Sequence, residues 1–157
     1  MLFRSANGKS TFLDVIKTLL NDYAKQADFS TFLIQKNETI RNDIADLRGA
    51  RFVAAIEAEW GQRLAEFMVK QMTGGDTLKA RFLFSEHFEF IPTFKIWLAA
   101  NHKPVIRGGD HAIWRRIRLI PFTVTIPERE RDPKLNDRLK RSEKRRVGKE
   151  CRSQWWS

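Results

Sequence analysis

With 157 residues, 42% of them hydrophobic and 31% charged, the chain has the length of one domain and a composition that excludes a disordered protein. No apolar run reaches membrane-spanning length, Met1-Leu2-Phe3-Arg4 is too short for a signal peptide, and a single cysteine, Cys151, excludes a disulfide framework and fits a reducing compartment. The net charge of +10 points to a polyanionic partner, but residues 141–157 hold six basic side chains against two acidic ones, so residues 6–140 carry only about +5.

The first organised stretch is Ala6-Asn7-Gly8-Lys9-Ser10-Thr11, which runs into a helical pattern of Phe12, Leu13, Val15, Ile16, Leu19 and Leu20. Gly-Lys-Ser at the head of a helix is the second half of a phosphate-binding loop. The open N–H groups of the helix start attract a polyphosphate, the lysine reaches its outer phosphates, and the next hydroxyl ligates Mg²⁺. Lys9 is then the phosphate clamp and Ser10 the metal ligand, with Asn7, Gly8 and Thr11 around them. The full pattern wants a glycine five residues before Gly8, where Phe3 stands, so the tripeptide alone fits an ordinary helix-start turn equally well.

Residues 21–27 read as the frayed end of this helix and a turn, and 29–34 as a short strand or a docked loop. A helix is expected from Thr39, with Ile40, Ile44, Ala45 and Leu47 near one face and Gly49 as its stop. Phe52-Val53-Ala54-Ala55-Ile56 suits a buried strand of a parallel sheet and ends in Glu57-Ala58-Glu59. Leu64, Phe67, Met68 and Met72 have helical spacing, stopped by Thr73-Gly74-Gly75-Asp76. Residues 77–91 alternate about a polar centre, Ser85-Glu86-His87, which predicts a β-hairpin. Phe94 to Ala100 predicts a second buried strand, ending at Asn101. A loop with Pro104, Gly108 and Gly109 then leads to a third strand candidate, Arg115 to Phe122. This order of helices, strands and a hairpin predicts an α/β layer fold.

In α/β phosphate-binding folds, ligands sit beyond the carboxyl ends of the strands. Glu57 and Glu59 follow the first buried strand, where an NTPase needs one acid in the Mg²⁺ shell and one to orient the attacking water. Asn101 follows the second, where an amide can hold that water or the γ-phosphate. Singly, the glutamates also suit a solvated helix start and Asn101 a turn before His102-Lys103-Pro104; together with Lys9 and Ser10 in chain order they favour an NTPase. In the hairpin, Lys79, Arg81 and His87 interleave with Phe82, Phe84, Phe88 and Phe90, giving cations for phosphates and rings for base stacking. The rings are better read as core, whereas Lys79 and His87 lean toward DNA. His87 has no cysteine or second histidine at ligand spacing, so a metal is not expected there.

The series of residues 7–12, Leu47-Arg48-Gly49-Ala50-Arg51-Phe52 before Glu57-Ala58-Glu59, Thr73-Gly74-Gly75-Asp76, the run Trp97 to Pro104 and the run Ile113 to Phe122 resembles one family over residues 6 to about 140. It is the ATPase domain of phage and plasmid primase–helicases, a branch of the superfamily 3 helicases with a poxvirus-type primase/NTPase C-terminal family. The resemblance implies a P-loop NTPase core, AAA+-like, with a central parallel sheet and an inserted β-hairpin. It implies Walker A roles for Lys9 and Ser10, with Ser10 and Glu57 on the metal, and the Walker B pair in Glu57 and Glu59. Asn101 matches the sensor asparagine, and Arg115 and Arg116 stand where the family places an arginine finger for the neighbouring subunit. The hairpin matches the region that grips single-stranded DNA in the central channel. The activity that the resemblance implies is that of an ATP- and Mg²⁺-dependent DNA helicase motor in a homo-oligomeric ring, a hexamer. Its partners would be replication proteins, without a membrane, in the cytoplasm of a bacterial cell carrying the phage or plasmid.

Two other readings stay open: a non-catalytic basic DNA-binding module, which leaves Glu57, Glu59 and Asn101 unexplained, and another P-loop NTPase such as an initiator or packaging ATPase. Both ends depart from the family. Glycines are expected near Phe3 and Ser5, and closing helices after residue 140. Leu2-Phe3-Arg4-Ser5 and the run from Arg141 instead resemble translated sequencing-adaptor DNA, one strand and its complement, with Lys144 a one-base departure. Residues 1–5 and 141–157 are therefore expected to be non-native, and 6–140 a helicase ATPase fragment incomplete at both ends. Such a fragment is expected to turn over little ATP by itself, and its basic tail says nothing about DNA binding.

Overall fold

The computed structural model describes residues 7–34, 42–56, 61–107 and 111–141. The chain divides into two compact units, one drawn from residues up to Asn21 and from Phe122 onward, the other running Asp22–Pro121.

In the first unit the apolar spacing after Gly8 forms helix α1, Lys9–Leu20, with Leu13 buried. The Thr18 hydroxyl donates to the Asp14 carbonyl at 2.8 Å, and Asn21 ends the helix with its N–H on the Lys17 carbonyl. The returning chain packs at the head of this helix. Asn7 Nδ2 donates to the Phe122 carbonyl at 3.2 Å, and the rings of Phe12 and Phe122 lie 6.2 Å apart. Residues 135–141 are helical as well.

The second unit contains, in chain order, β1 (Ala24–Gln26), α2 (Asn42–Ala45), β2 (Phe52–Ile56), α3 (Glu66–Gly74), β3 (Leu78–Ala80), β4 (Phe88–Phe90), β5 (Lys95–Ala99) and α4 (His111–Trp114). β1, β2 and β5 form a parallel sheet in the order β1-β2-β5, with Ala24 opposite Phe52 and Ile56 opposite Ala99. β2 lies in the centre with Phe52 to Ala55 buried, as its unbroken apolar run requires. The fold is thus mixed α/β with a parallel sheet.

Three expectations change. Residues 24–26, read as part of a turn, are the edge strand β1. The candidate strand from Arg115 to Phe122 does not form: α4 is followed by a turn at 115–116 and an irregular run in which Leu119 and Ile120 are exposed. β5 is half-buried, not buried, because it lies at the other edge of the sheet. The stretch Phe29–Phe32 resolves to a 3₁₀ turn docked by Phe29 and Phe32. The helix expected from Thr39 is a single described turn, α2, followed by turns to Gly49, whose φ is 80°; residues 39–41 lie outside the described residues.

The core of this unit gathers Phe32, Leu47, Val53, Met72 and Ile113, all under 2% exposed, from turn, loop, strand and the helices α3 and α4. α3 buries Val69 and Met72 but turns Phe67 outward, and Gly75, at φ 87°, closes it. No described helix is long and apolar enough to cross a membrane.

Candidate functional site

The head of α1 is an open helix start. Gly8 caps it at φ 84°, ψ −2°, in the left-handed region, where an L side chain costs about 1–2 kcal/mol even though the space around Gly8 is open. The first helical rung runs from Phe12 N–H to the Gly8 carbonyl at 2.9 Å. The N–H groups of Ser10 and Thr11 therefore have no helix carbonyl behind them. Asn7 Oδ1 approaches the Lys9 N–H at 3.5 Å, and Asn7 is itself anchored on Phe122. No acidic residue occupies the first turn, so nothing there competes with an anion for the positive end of the helix. Ser10 is exposed and Lys9 and Thr11 are half-buried. Helix-start N–H groups, an ammonium and a hydroxyl form a donor set that suits a phosphate with its Mg²⁺.

In the second unit, the parallel register brings the carboxyl ends of β2 and β5 to the same edge of the sheet. Asn101 stands exposed two residues beyond Ala99, the partner of Ile56. Glu57 and Glu59, which follow Ile56 in sequence, lie outside the described residues. Among the described residues no cluster of three His, Cys, Asp or Glu side chains could hold a metal ion.

Arg115 and Arg116 differ sharply. Arg115 is exposed, whereas Arg116 is half-buried and donates from Nη1 to the Ala112 carbonyl at 2.6 Å.

The hairpin forms as β3 and β4, with Leu78 opposite Phe90, Lys79 opposite Glu89 and Ala80 opposite Phe88. Alternation sorts its faces. Leu78 and Ala80 are buried, Phe88 and Phe90 pack beside the core, and Arg48 places its guanidinium 5.0 Å from the centre of the Phe88 ring. Lys79 faces solvent in a cross-strand ion pair with Glu89 at 3.2 Å. Arg81 is half-buried and His87 exposed.

The reading of all four phenylalanines as core needs correction. Phe82 is 44% exposed, and Phe84 is 98% exposed at the tip with φ 60°. Sequence reasoning missed Phe84 as a surface residue. The available signal was its place beside the polar centre of the hairpin, where the chain turns and neither face is covered.

Lys9 and Ser10 belong to the first unit, and Asn101, Arg115, Arg116, Lys79, Arg81 and His87 to the second.

Residues 4–116 match a family described as a family of unknown function, DUF5906. A protein of Acanthamoeba polyphaga mimivirus named as a candidate helicase, L207/L206, is 35% identical over 120 residues, which is 74% of this chain and 12% of that protein. The candidate helicase 121R of Invertebrate iridescent virus 3 is 36% identical over 48% of this chain and 8% of its own length. The candidate helicase 022R of Frog virus 3 (isolate Goorha) is 29% identical over 76% of this chain and 13% of its own length. The chain thus spans roughly an eighth or less of the curated relatives it matches. Among solved structures, the apo C-terminal region of NrS-1 superposes with a TM-score of 0.68 at 14% identity, over 89% of this chain and 33% of that one. At that identity the likeness speaks for the fold.

Proposed function

The chain belongs to the DUF5906 family, and from that membership, the helicase names of its viral relatives and the geometry at Gly8 we propose that it is part of an ATP-dependent helicase motor. The observation that carries this reading is the left-handed Gly8 leading into a helix start without acids, with Lys9 and Ser10 following at once. Bound ATP with Mg²⁺ would supply the energy of phosphoryl transfer. Lys9 and the N–H groups of Ser10 and Thr11 would hold its phosphates, and the Ser10 hydroxyl would face the metal. Glu57 or Glu59 would complete the metal shell while the other orients water, and Asn101 would hold that water or the γ-phosphate. Single-stranded DNA would be gripped by Lys79, Arg81 and His87 on the hairpin, in a ring of identical subunits that serves replication.

The test is nucleotide turnover by the protein as its gene encodes it, with and without single-stranded DNA. Stimulation by DNA is expected. Binding of DNA with no turnover under any condition would favour a basic DNA-binding module instead.

The hairpin gives a separate prediction. The Lys79–Glu89 pair is exposed on both sides, so breaking it should cost little stability. Lys79→Ala should still weaken single-strand binding and make its salt dependence shallower, by about 0.7 in the log–log slope for one phosphate contact. Unwinding should fall more than basal turnover. Superimposable salt curves for Lys79→Ala and the unmodified protein would put Lys79 outside the DNA path.

A further inference from the structure

We infer that Glu66, at the start of α3, is a positioning residue that fixes the loop carrying Asn101 through a hydrogen bond to the backbone of that loop. Its effect on turnover rests on the motor reading above; the anchoring of the loop does not.

Two segments of the chain end paired in the parallel sheet and pair again further on. Ile56, the last residue of β2, lies opposite Ala99, the last of β5. Arg63 comes seven residues after Ile56 and Val105 six after Ala99, and these two form a second parallel bridge. The Val105 N–H donates to the Gln62 carbonyl at 3.0 Å, and the Leu64 N–H to the Val105 carbonyl at 3.1 Å. The loop with Asn101 is therefore short and held at both ends, by β5 and by this bridge.

The segment that receives the loop is itself fixed. The Ile34 N–H donates to the Arg63 carbonyl at 3.1 Å and the Ala65 N–H to the Phe32 carbonyl at 2.8 Å, with Leu33 opposite Leu64. Leu33 and Leu64 are buried, and Ile106 packs against the same core.

Glu66 extends the pairing beyond the point where the backbone can. In a parallel ladder the rung after Val105 would join the Arg107 N–H to the carbonyl of residue 64. The chain turns into α3 at Glu66 with Ala65 as its N-cap, and the Arg107 N–H donates to Glu66 Oε1 at 2.9 Å. A carboxylate acceptor makes this a stronger bond than a neutral backbone rung. An acid in the first turn also favours the helix dipole, wherever its oxygens point. Only the reach of Oε1 to Arg107 ties Glu66 to the loop. In the motor reading Asn101 acts on the attacking water or the γ-phosphate, where a shift of about 1 Å can cost 10²-fold in rate.

The test uses Glu66→Ala, Glu66→Gln and Glu66→Asp in the protein as its gene encodes it. Gln keeps the length and an acceptor oxygen; Asp keeps the charge but is one methylene shorter. Amide exchange over residues 103–107, nucleotide affinity, kcat and thermal midpoint are measured for each. Exchange at 105–107 should be at least about 5-fold faster in the Ala and Asp variants and within about 3-fold of the unmodified protein in Glu66→Gln. In the Ala and Asp variants kcat should fall by about 10- to 100-fold with nucleotide affinity nearly unchanged, and Glu66→Gln should retain most of it. Unmoved exchange in Glu66→Ala would overturn the anchoring. So would the opposite order, with Asp behaving as the unmodified protein and Gln as Ala, because that is the signature of charge at a helix start.

Asn101→Ala sets the scale for the second half. Adding Glu66→Ala to it should cost less than about 3-fold more in kcat, since residues that act as a unit do not add. A full further loss, or faster exchange with kcat unmoved, would overturn the link to Asn101. An unmodified protein with no turnover would overturn the motor reading and the effect on rate with it, while faster exchange in the Ala and Asp variants would still uphold the anchoring.

Discussion

Lys9→Ala is expected to reduce nucleotide turnover by at least about 10²–10³-fold, the cost of removing one preorganised donor from developing charge. In the proposed role the ammonium bridges the outer phosphates, where negative charge concentrates as the γ-phosphoryl group leaves. The fold should tolerate the change. Position 9 opens α1, the buried residue of that helix is Leu13, and alanine is a better helix former than lysine. Loss of turnover with unchanged helicity, measured together with nucleotide affinity by titration, would separate a lost clamp from a lost helix. Lys9→Ala with undiminished turnover would remove the phosphate-loop assignment altogether.

The second large effect concerns Glu57 and Glu59. Gln keeps the size of each side chain and removes its charge, so each variant asks for the carboxylate alone. The acid in the Mg²⁺ shell should lose nucleotide affinity as well as rate when changed to Gln. The acid that orients water should keep binding ATP but lose about 10²–10⁴-fold in cleavage, the usual worth of a positioned base. Single-turnover kinetics with a parallel binding titration distinguishes the two. If Glu57→Gln and Glu59→Gln both behave as the unmodified protein, the residues after β2 are not a Walker B pair.

Comparing sequence with structure shows where pattern carries information and where it does not. β2 was legible because a central strand of a parallel sheet is buried on both faces, and an uninterrupted run from Phe52 to Ile56 says so by itself. β1 was not. Ala24-Lys25-Gln26 has no strand-like composition and becomes a strand only because β2 offers it a ladder, an interaction outside any local window. The reverse error occurred at Arg115 to Phe122, where β-branched and apolar residues suggest a strand but no described strand pairs with them. The two arginines could not be told apart in sequence, because their difference lies in the turn after α4, which leaves Arg115 exposed and Arg116 half-buried on the Ala112 carbonyl. The helix start at Gly8 was legible, since an apolar helical pattern begins just after it, and Gly8 does cap α1 there.

Phe84 has a practical consequence. A phenylalanine at φ 60° costs about 1–2 kcal/mol, and almost none of that is returned by burial, since 98% of the residue is in water. A strained turn with so few contacts opens far below the free energy of global unfolding. A protease that cuts after aromatic residues should therefore nick the chain first at Phe82 or Phe84, well before Phe32 or Phe52 in the core become accessible. The nick is a ready-made footprint: limited digestion with single-stranded DNA present should slow cleavage at the tip if bases stack there. Cleavage at an unchanged rate, under conditions where DNA is bound, would show the tip left bare by the nucleic acid.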